Sequence, residues 1–526
     1  MKRRSDSLIR LLAPVAATFV AWGSVNAAPD YEWAGAETTS GWEVGENWTP
    51  VAPAGGPSGS GVHVQISHEF SGGKTINVNG TRLLGRLDVG ASGGAGIYTL
   101  ARGTSGLMNF TAYGGGNAQI HQLATSNGDS LSAEIVLSAS LDITNASVQA
   151  LKLTREIKSD TAGGKTISVL GGDVTFSGAI NDGSGTVAVS QSGGGNLTLS
   201  TASGFSGGLT LAAGTLTFLH NNALGAAGSV INLNGGELSA GGNRSLTRSY
   251  QFHWGGDFSL SGGSLSIGSG SSITLETDVR VTSAAAGSVY TVKTAIGDDG
   301  TPRGLAVTGP GLLLLEGSNT YGGVTRVEAG RLRLDGSHLG AAGYEIGSGG
   351  ELSGTGSLSF AEDHGMVVES GGVLAMDTVG EAMSLARAGA DAAPVLTLES
   401  GAALGFTLGD AFQSGRLDLT GLGEGAVVFG GNVVHLSLSE GALPAEGIYQ
   451  LISADADEVY AGLVLQNGVI VGGLSVGTLF EGFDSRLLLN EGNLALELTV
   501  VPEPSAIALA GVVLILVWGA RRKRFS

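Results

Sequence analysis

Cysteine is absent from the 526 residues. That excludes disulfide frameworks, thiolate metal sites, cysteine nucleophiles and the small secreted folds that depend on disulfide staples. Proline is scarce at 11 residues, and the 91 glycines do not recur at every third position, so a collagen triple helix is excluded. Aromatic residues make up only 6% of the chain, yet mean hydropathy is positive. Disordered chains are poor in aliphatics, and this one is not. Cations are few as well: 27 Lys and Arg stand against 46 Asp and Glu, for a formal net charge of −19. Because cations gather at the two ends, the body between them is more acidic than the total. Such a body repels nucleic acid and anionic lipid headgroups, which sets nucleic-acid binding aside.

What is present is a series of short aliphatic and Thr/Ser-rich strands broken by glycine turns, the pattern of an all-β protein. Two stretches align without a gap, Phe205-Ser-Gly-Gly-Leu-Thr-Leu-Ala-Ala-Gly-Thr-Leu216 and Tyr321-Gly-Gly-Val-Thr-Arg-Val-Glu-Ala-Gly-Arg-Leu332. Each follows an apolar strand (Asn196 to Ser200, Gly311 to Glu316) and leads to a further glycine turn and strand. Self-similar strand–turn–strand units are how a solenoid is written. Alternate aliphatics such as Leu209 and Leu211 point inward, glycines supply the corners, and each rung pairs with the next. The expected fold is a right-handed parallel β-helix.

The two ends read as addresses. Lys2, Arg3, Arg4 and Arg10 precede the apolar run Leu11 to Val25, and Val25-Asn26-Ala27 offers small residues at the −3 and −1 positions. This reads as a secretory signal peptide cleaved after Ala27, with an uncleaved anchor as the alternative. At the other end, Pro502-Glu503-Pro504 precedes the apolar stretch Ser505 to Ala520, near the minimum length to span a bilayer. Arg521, Arg522, Lys523 and Arg524 follow and would stay cytoplasmic by the positive-inside rule.

The order Pro-Glu-Pro, apolar helix, basic cluster resembles the PEP-CTERM sorting signal of exopolysaccharide-producing Gram-negative bacteria. The resemblance implies an exosortase as processing partner, transient anchoring by one C-terminal transmembrane helix, and delivery to the cell surface or extracellular matrix. The alternative is a plain tail anchor. The paired units, best seen in Ser318-Asn-Thr-Tyr-Gly-Gly and Glu328-Ala-Gly-Arg-Leu, resemble the autotransporter-associated β-strand repeat. Autotransporters end in a membrane β-barrel, whereas here the sorting signal stands in its place, so self-export through a barrel is not implied.

The expected organisation is a signal peptide over 1–27, an N-terminal β region and cap over 28–130, and repeats over 131–355. An all-β C-terminal region over 356–500 and the sorting signal over 501–526 complete it. From Gly356 the glycine rhythm fades, and the Ala-rich stretch Ala382 to Ala393 has possible short helical character. Arg486 to Leu498 reads as a hairpin turning at Asn490 to Asn493. Trp33, Trp42 and Trp48 form either an aromatic platform for sugars or a plug over the first rung, and an open solenoid end favours the plug.

Chemistry is thinly written. Two Gly-x-Ser-x-Gly matches place Ser206 and Ser475 at the nucleophile position, but Ser206 has strand on both sides and no histidine follows Ser475. His63 and His68 are five apart on a predicted strand, hence on opposite faces, and solvated loop histidines are the expectation. Asp298-Asp299 and Asp455-Ala-Asp457-Glu458 are acidic turns able to hold calcium, with plain solvated turns as the favoured reading. No catalytic, cofactor or metal residue is assigned. The functional expectation is a non-enzymatic surface or matrix protein, structural or adhesive, with exopolysaccharide as a possible partner. The alternative is a secreted glycan-active enzyme or glycan-binding module on the same scaffold.

Overall fold

The computed structural model describes residues 28–35, 39–93, 95–387, 393–477 and 480–501. Their regular structure is β-strand with three 3₁₀ turns. The expected signal peptide over 1–27, with Ala27, lies outside the described residues. So does the transmembrane helix expected in the tail. Among the described residues, no helix is long and apolar enough to cross a membrane.

The chain coils into a parallel β-solenoid. Leu141, Ile167, Val189, Leu209, Ile231, Phe252, Ile273 and Ile296 are successive rung partners in one stack. Each is at most 2% exposed. Each turn over this stretch takes about 20–26 residues, within the range of solenoid repeats. A second stack aligns Leu153, Phe176, Leu199, Phe218 and Ala240. A third face begins with Thr81–Leu84, Leu107–Phe110, Glu134–Leu137 and Ile157–Ser159. Strands such as Val187–Gln191 alternate buried and half-buried residues, so aliphatics fill the coil while Ser and Thr face outward. The expected parallel β-helix is thus the observed fold.

Leu305–Leu315 belongs to two faces at once. Residues Leu305 to Thr308 pair with Val279–Ser283, and Leu312 to Leu315 pair with Val289–Val292. The strand turns the corner at Gly309, whose φ of 93° only glycine adopts without strain.

Parallel pairing continues past residue 355. Thr325, Tyr344, Met366, Leu396, Val427 and Tyr460 stack in series. From Met366 onward each turn needs about 30 residues, because longer loops separate the strands. The helical character expected at Ala382 is not found: Ala382–Arg387 is a strand pairing with Ser357–Phe360 and Arg416–Asp418. Its neighbours on both sides are rung strands, and that pairing overrides the helix propensity of alanine.

The coil closes on antiparallel strands. Gly447–Ser453 is joined by Asn493–Val500, then Phe483–Asn490, Val469–Gly472 and Val464–Gln466. The hairpin turns between Asn490 and Asn493 as expected, with Glu491 and Gly492 at φ 49° and 78°. Positive φ at both central residues matches the twist of a two-residue hairpin.

The opposite end is plugged. Trp33, Trp42 and Trp48 are 1%, 0% and 1% exposed, with ring centroids 4.8 Å apart in each adjacent pair. Their indole N–H groups donate to the carbonyls of Gly35, Pro57 and Trp42. Buried Lys74 lies over the Trp33 ring and donates to Gly35 O. No indole face is open to a sugar, so these residues close the first rung.

Candidate functional site

Both repeat units build their corners alike. Asn319 is fully buried; its Oδ1 accepts the Ile296 amide of the preceding turn at 3.1 Å. Its Nδ2 donates to the Ser337 carbonyl of the following turn at 3.2 Å. In the first unit Ser203 holds this place, its hydroxyl accepting the Ile180 amide at 3.2 Å. Asp298 then accepts the Gly322 amide at 2.8 Å, and Asp182 accepts the equivalent Ser206 amide at 3.1 Å. Inside the corner, Tyr321 and Phe205 fill the core at equivalent positions. The Tyr321 phenol is pushed up to about 12 by burial and shares a hydrogen bond with Thr325 Oγ1 at 2.7 Å.

In the described residues the carboxylates of the acidic turns bond to backbone amides and to an arginine. Asp299 pairs with Arg303 at 3.2 Å, and hydrogen bonds from Arg303 and the Thr301 amide hold its carboxyl below the ordinary value. Asp455 and Asp457 accept the Gly421 and Gly492 amides at 2.7 and 2.6 Å. These carboxylates satisfy corner amides that strand pairing leaves free. Among the described residues, no group of three or more His, Asp or Glu is arranged to hold a metal.

The histidines divide. His68, His220, His364 and His435 are exposed, as a solvated reading requires. His63 and His338 are not: they are 2% and 0% exposed. His338 lies inside the coil, bonded to Tyr344 Oη and Tyr321 O, each at 2.8 Å, and burial pushes its imidazole down.

His63 belongs to a cluster that sequence spacing did not reveal. His63 Nε2 lies 2.9 Å from Asp88 Oδ2, and Arg86 grips the same carboxylate through Nε at 2.8 Å and Nη2 at 3.1 Å. His121 Nδ1 stands 3.7 Å from Asp88 Oδ1. Burial alone would raise the Asp88 carboxyl, but His121, His63 and Arg86 together hold it well below the ordinary carboxylate range. The group forms because His63 and Arg86, and Asp88 and His121, are rung partners on one outer face. Tyr113 covers it, its ring edge-on to His63 at 5.8 Å. Beside it runs a groove of about 300 Å³ lined by Gln119, His121, Asp142, Thr144 and half-exposed Leu170. Charges two apart in the strand Arg86–Val89 were the one available signal, but without the rung length nothing tied them to His63.

The Gly-x-Ser-x-Gly serines make no catalytic pair. Ser206 is exposed on a corner, and its amide is the one capped by Asp182. Ser475 lies on a strand beside the one carrying His435, but its hydroxyl donates to the Asn432 carbonyl at 3.3 Å. The sorting residues Pro502, Glu503 and Pro504 and the cations Arg521, Arg522, Lys523 and Arg524 lie outside the described residues, which reach Val501 at the end of the last strand.

Comparison with known families completes the picture. The passenger-associated transport repeat matches residues 189–218 and 305–334. Those two segments carry the paired strands around the Phe205 and Tyr321 corners. The PEP-CTERM protein-sorting motif matches residues 500–524. The chain carries an exosortase sorting signal behind a repeat solenoid. No curated protein matches it significantly. The sorting motif implies export, an exosortase as the handling enzyme, and a location at the cell surface or outside it in a Gram-negative bacterium. Both matched families are a sorting signal and a repeat, and neither is catalytic.

Proposed function

We propose that the mature coil is a structural or adhesive element of the cell surface or extracellular matrix, working near exopolysaccharide rather than as an enzyme. The observation that carries this reading is the PEP-CTERM motif at residues 500–524, attached directly to a rigid acidic solenoid. In this reading the signal peptide is removed after Ala27, Arg521 to Arg524 hold the tail end in the cytoplasm, and Pro502-Glu503-Pro504 marks the processing site. Rungs of outward Ser and Thr, with corner carboxylates engaged by amides, give an extended polar wall suited to scaffolding.

A glycan-binding or glycan-active reading draws on one specific feature, the groove beside Asp88 with its mixed amide, imidazole, carboxylate and hydroxyl lining. A depolymerisation assay of the purified body against the exopolysaccharide of its own host separates the two. The structural reading expects no turnover. Turnover abolished by a single change such as Asp142→Asn would overturn it.

A further inference from the structure

The closing sheet has an uneven rim. In its register Ile448 faces Glu497, Glu497 faces Arg486, and Val469 faces Leu488, which sets Val471 beside Arg486. Val464 pairs with Gly472 just beyond, and Val500 pairs with Phe483 at the strand's end. Five large apolar side chains therefore gather at one end of this sheet: Val464 at 58% exposed, Val471 at 56%, Ile448 at 55%, Val500 at 52% and Val501 at 48%. The charges among them, Arg486 and Glu497, neutralise each other in an ion pair. Soluble proteins rarely leave such a group uncovered without a partner.

This is also the end from which the chain leaves. Val501 is the last described residue, and the apolar stretch Ser505 to Ala520 begins four residues later. A fully extended chain covers about 3.3–3.6 Å per residue, so the rim is tethered within about 14 Å of that stretch. The polar layer on each side of a bilayer's hydrocarbon core is only about 5–8 Å thick. A leash only about 6–9 Å longer than that layer holds the body close to the headgroups, and the rim is the part of it nearest to them.

We propose that the rim of the closing sheet seats on the bilayer, its apolar side chains entering the headgroup region until the tail is cut. The surface suits zwitterionic lipid, since the acidic body repels anionic headgroups. The proposal rests on the reading of residues 501–526 as a membrane-inserted sorting signal. It adds that the folded body itself contacts lipid, so the Pro-Glu-Pro segment is presented at the membrane surface rather than on a free stalk.

The absence of cysteine makes a direct test available. Val471→Cys and, as a distant exposed control, Val148→Cys are each labelled with an environment-sensitive fluorophore in the full chain. The protein is reconstituted into phosphatidylcholine vesicles containing lipid nitroxide-labelled near the headgroup. The expected result is a blue shift and loss of most of the emission at position 471, with position 148 unchanged. Adding Val464→Asp should restore the emission at 471 while the protein still floats with the vesicles. A protein that floats but leaves position 471 as unquenched as 148 overturns the proposal and leaves the tail reading standing. A protein that fails to float overturns both. A blue shift at position 471 without quenching, lost when the protein is diluted, would assign the rim to a second copy, and that also overturns it.

Discussion

Replacing Asn319 by alanine removes a side chain that holds three turns of the coil together. The amide accepts from Ile296 N and donates to Ser337 O, and it is fully buried. Alanine leaves that N–H and that C=O without partners, at about 1–3 kcal/mol each, or about 2–6 kcal/mol in all. The first repeat supplies an internal control. Ser203 holds the equivalent place and accepts the Ile180 amide with a single hydroxyl. Asn319→Ser should therefore keep the bond to Ile296, lose the amide N–H bonds to Ser337 O and the longer one to Gly317 O, and cost less than alanine. Urea unfolding of the mature body gives the ranking, wild type above Ser above Ala. Amide exchange locates the effect: Ile296 N–H loses protection in the Ala variant and keeps it in the Ser variant. Equal loss in the two variants, or an Ala variant within about 0.5 kcal/mol of wild type, would refute the reasoning that cross-turn side-chain bonds set corner stability.

Trp48→Ala empties part of the plug and strips Trp42 O of its indole donor, so a cost of about 3–5 kcal/mol is expected. Because rungs couple mainly to neighbours, exchange should quicken in the first turns and stay slow near Tyr460; uniform loss along the coil would contradict nearest-neighbour coupling. The Asp88 carboxyl is lowered in the fold, so its contribution is fully present above the ordinary value of 3.8 and disappears as pH falls below it. Asp88→Asn should be less stable at neutral pH and show a shallower acid decline in urea midpoint; parallel acid limbs would show that the cluster contributes nothing.

The fold was legible where the coil keeps a short period. Phe205 and Tyr321 could be aligned because the glycine turns between them recur at even spacing, and both now occupy the same corner of the core. Beyond Met366 the same stacking persists, but loops lengthen between Leu396, Val427 and Tyr460. The period therefore drops out of the sequence while the pairing continues. The Trp plug followed from the physics of an open end. The His63–Asp88–His121 group did not, because it depends on which residues become rung partners across loops of unequal length. The acidic turns were ambiguous for a related reason: whether Asp298 faces water, an ion or an amide is fixed by Gly322 one turn later. The sorting signal needs no fold to be read, and its meaning lies wholly in its local order.

Intact-mass measurement of the mature protein from its native host tests the central claim most directly. Processing as proposed predicts a chain beginning after Ala27 and lacking everything beyond the Pro502-Glu503-Pro504 segment. A mass that retains the Phe525-Ser526 end would make the tail a permanent anchor and contradict the exosortase route.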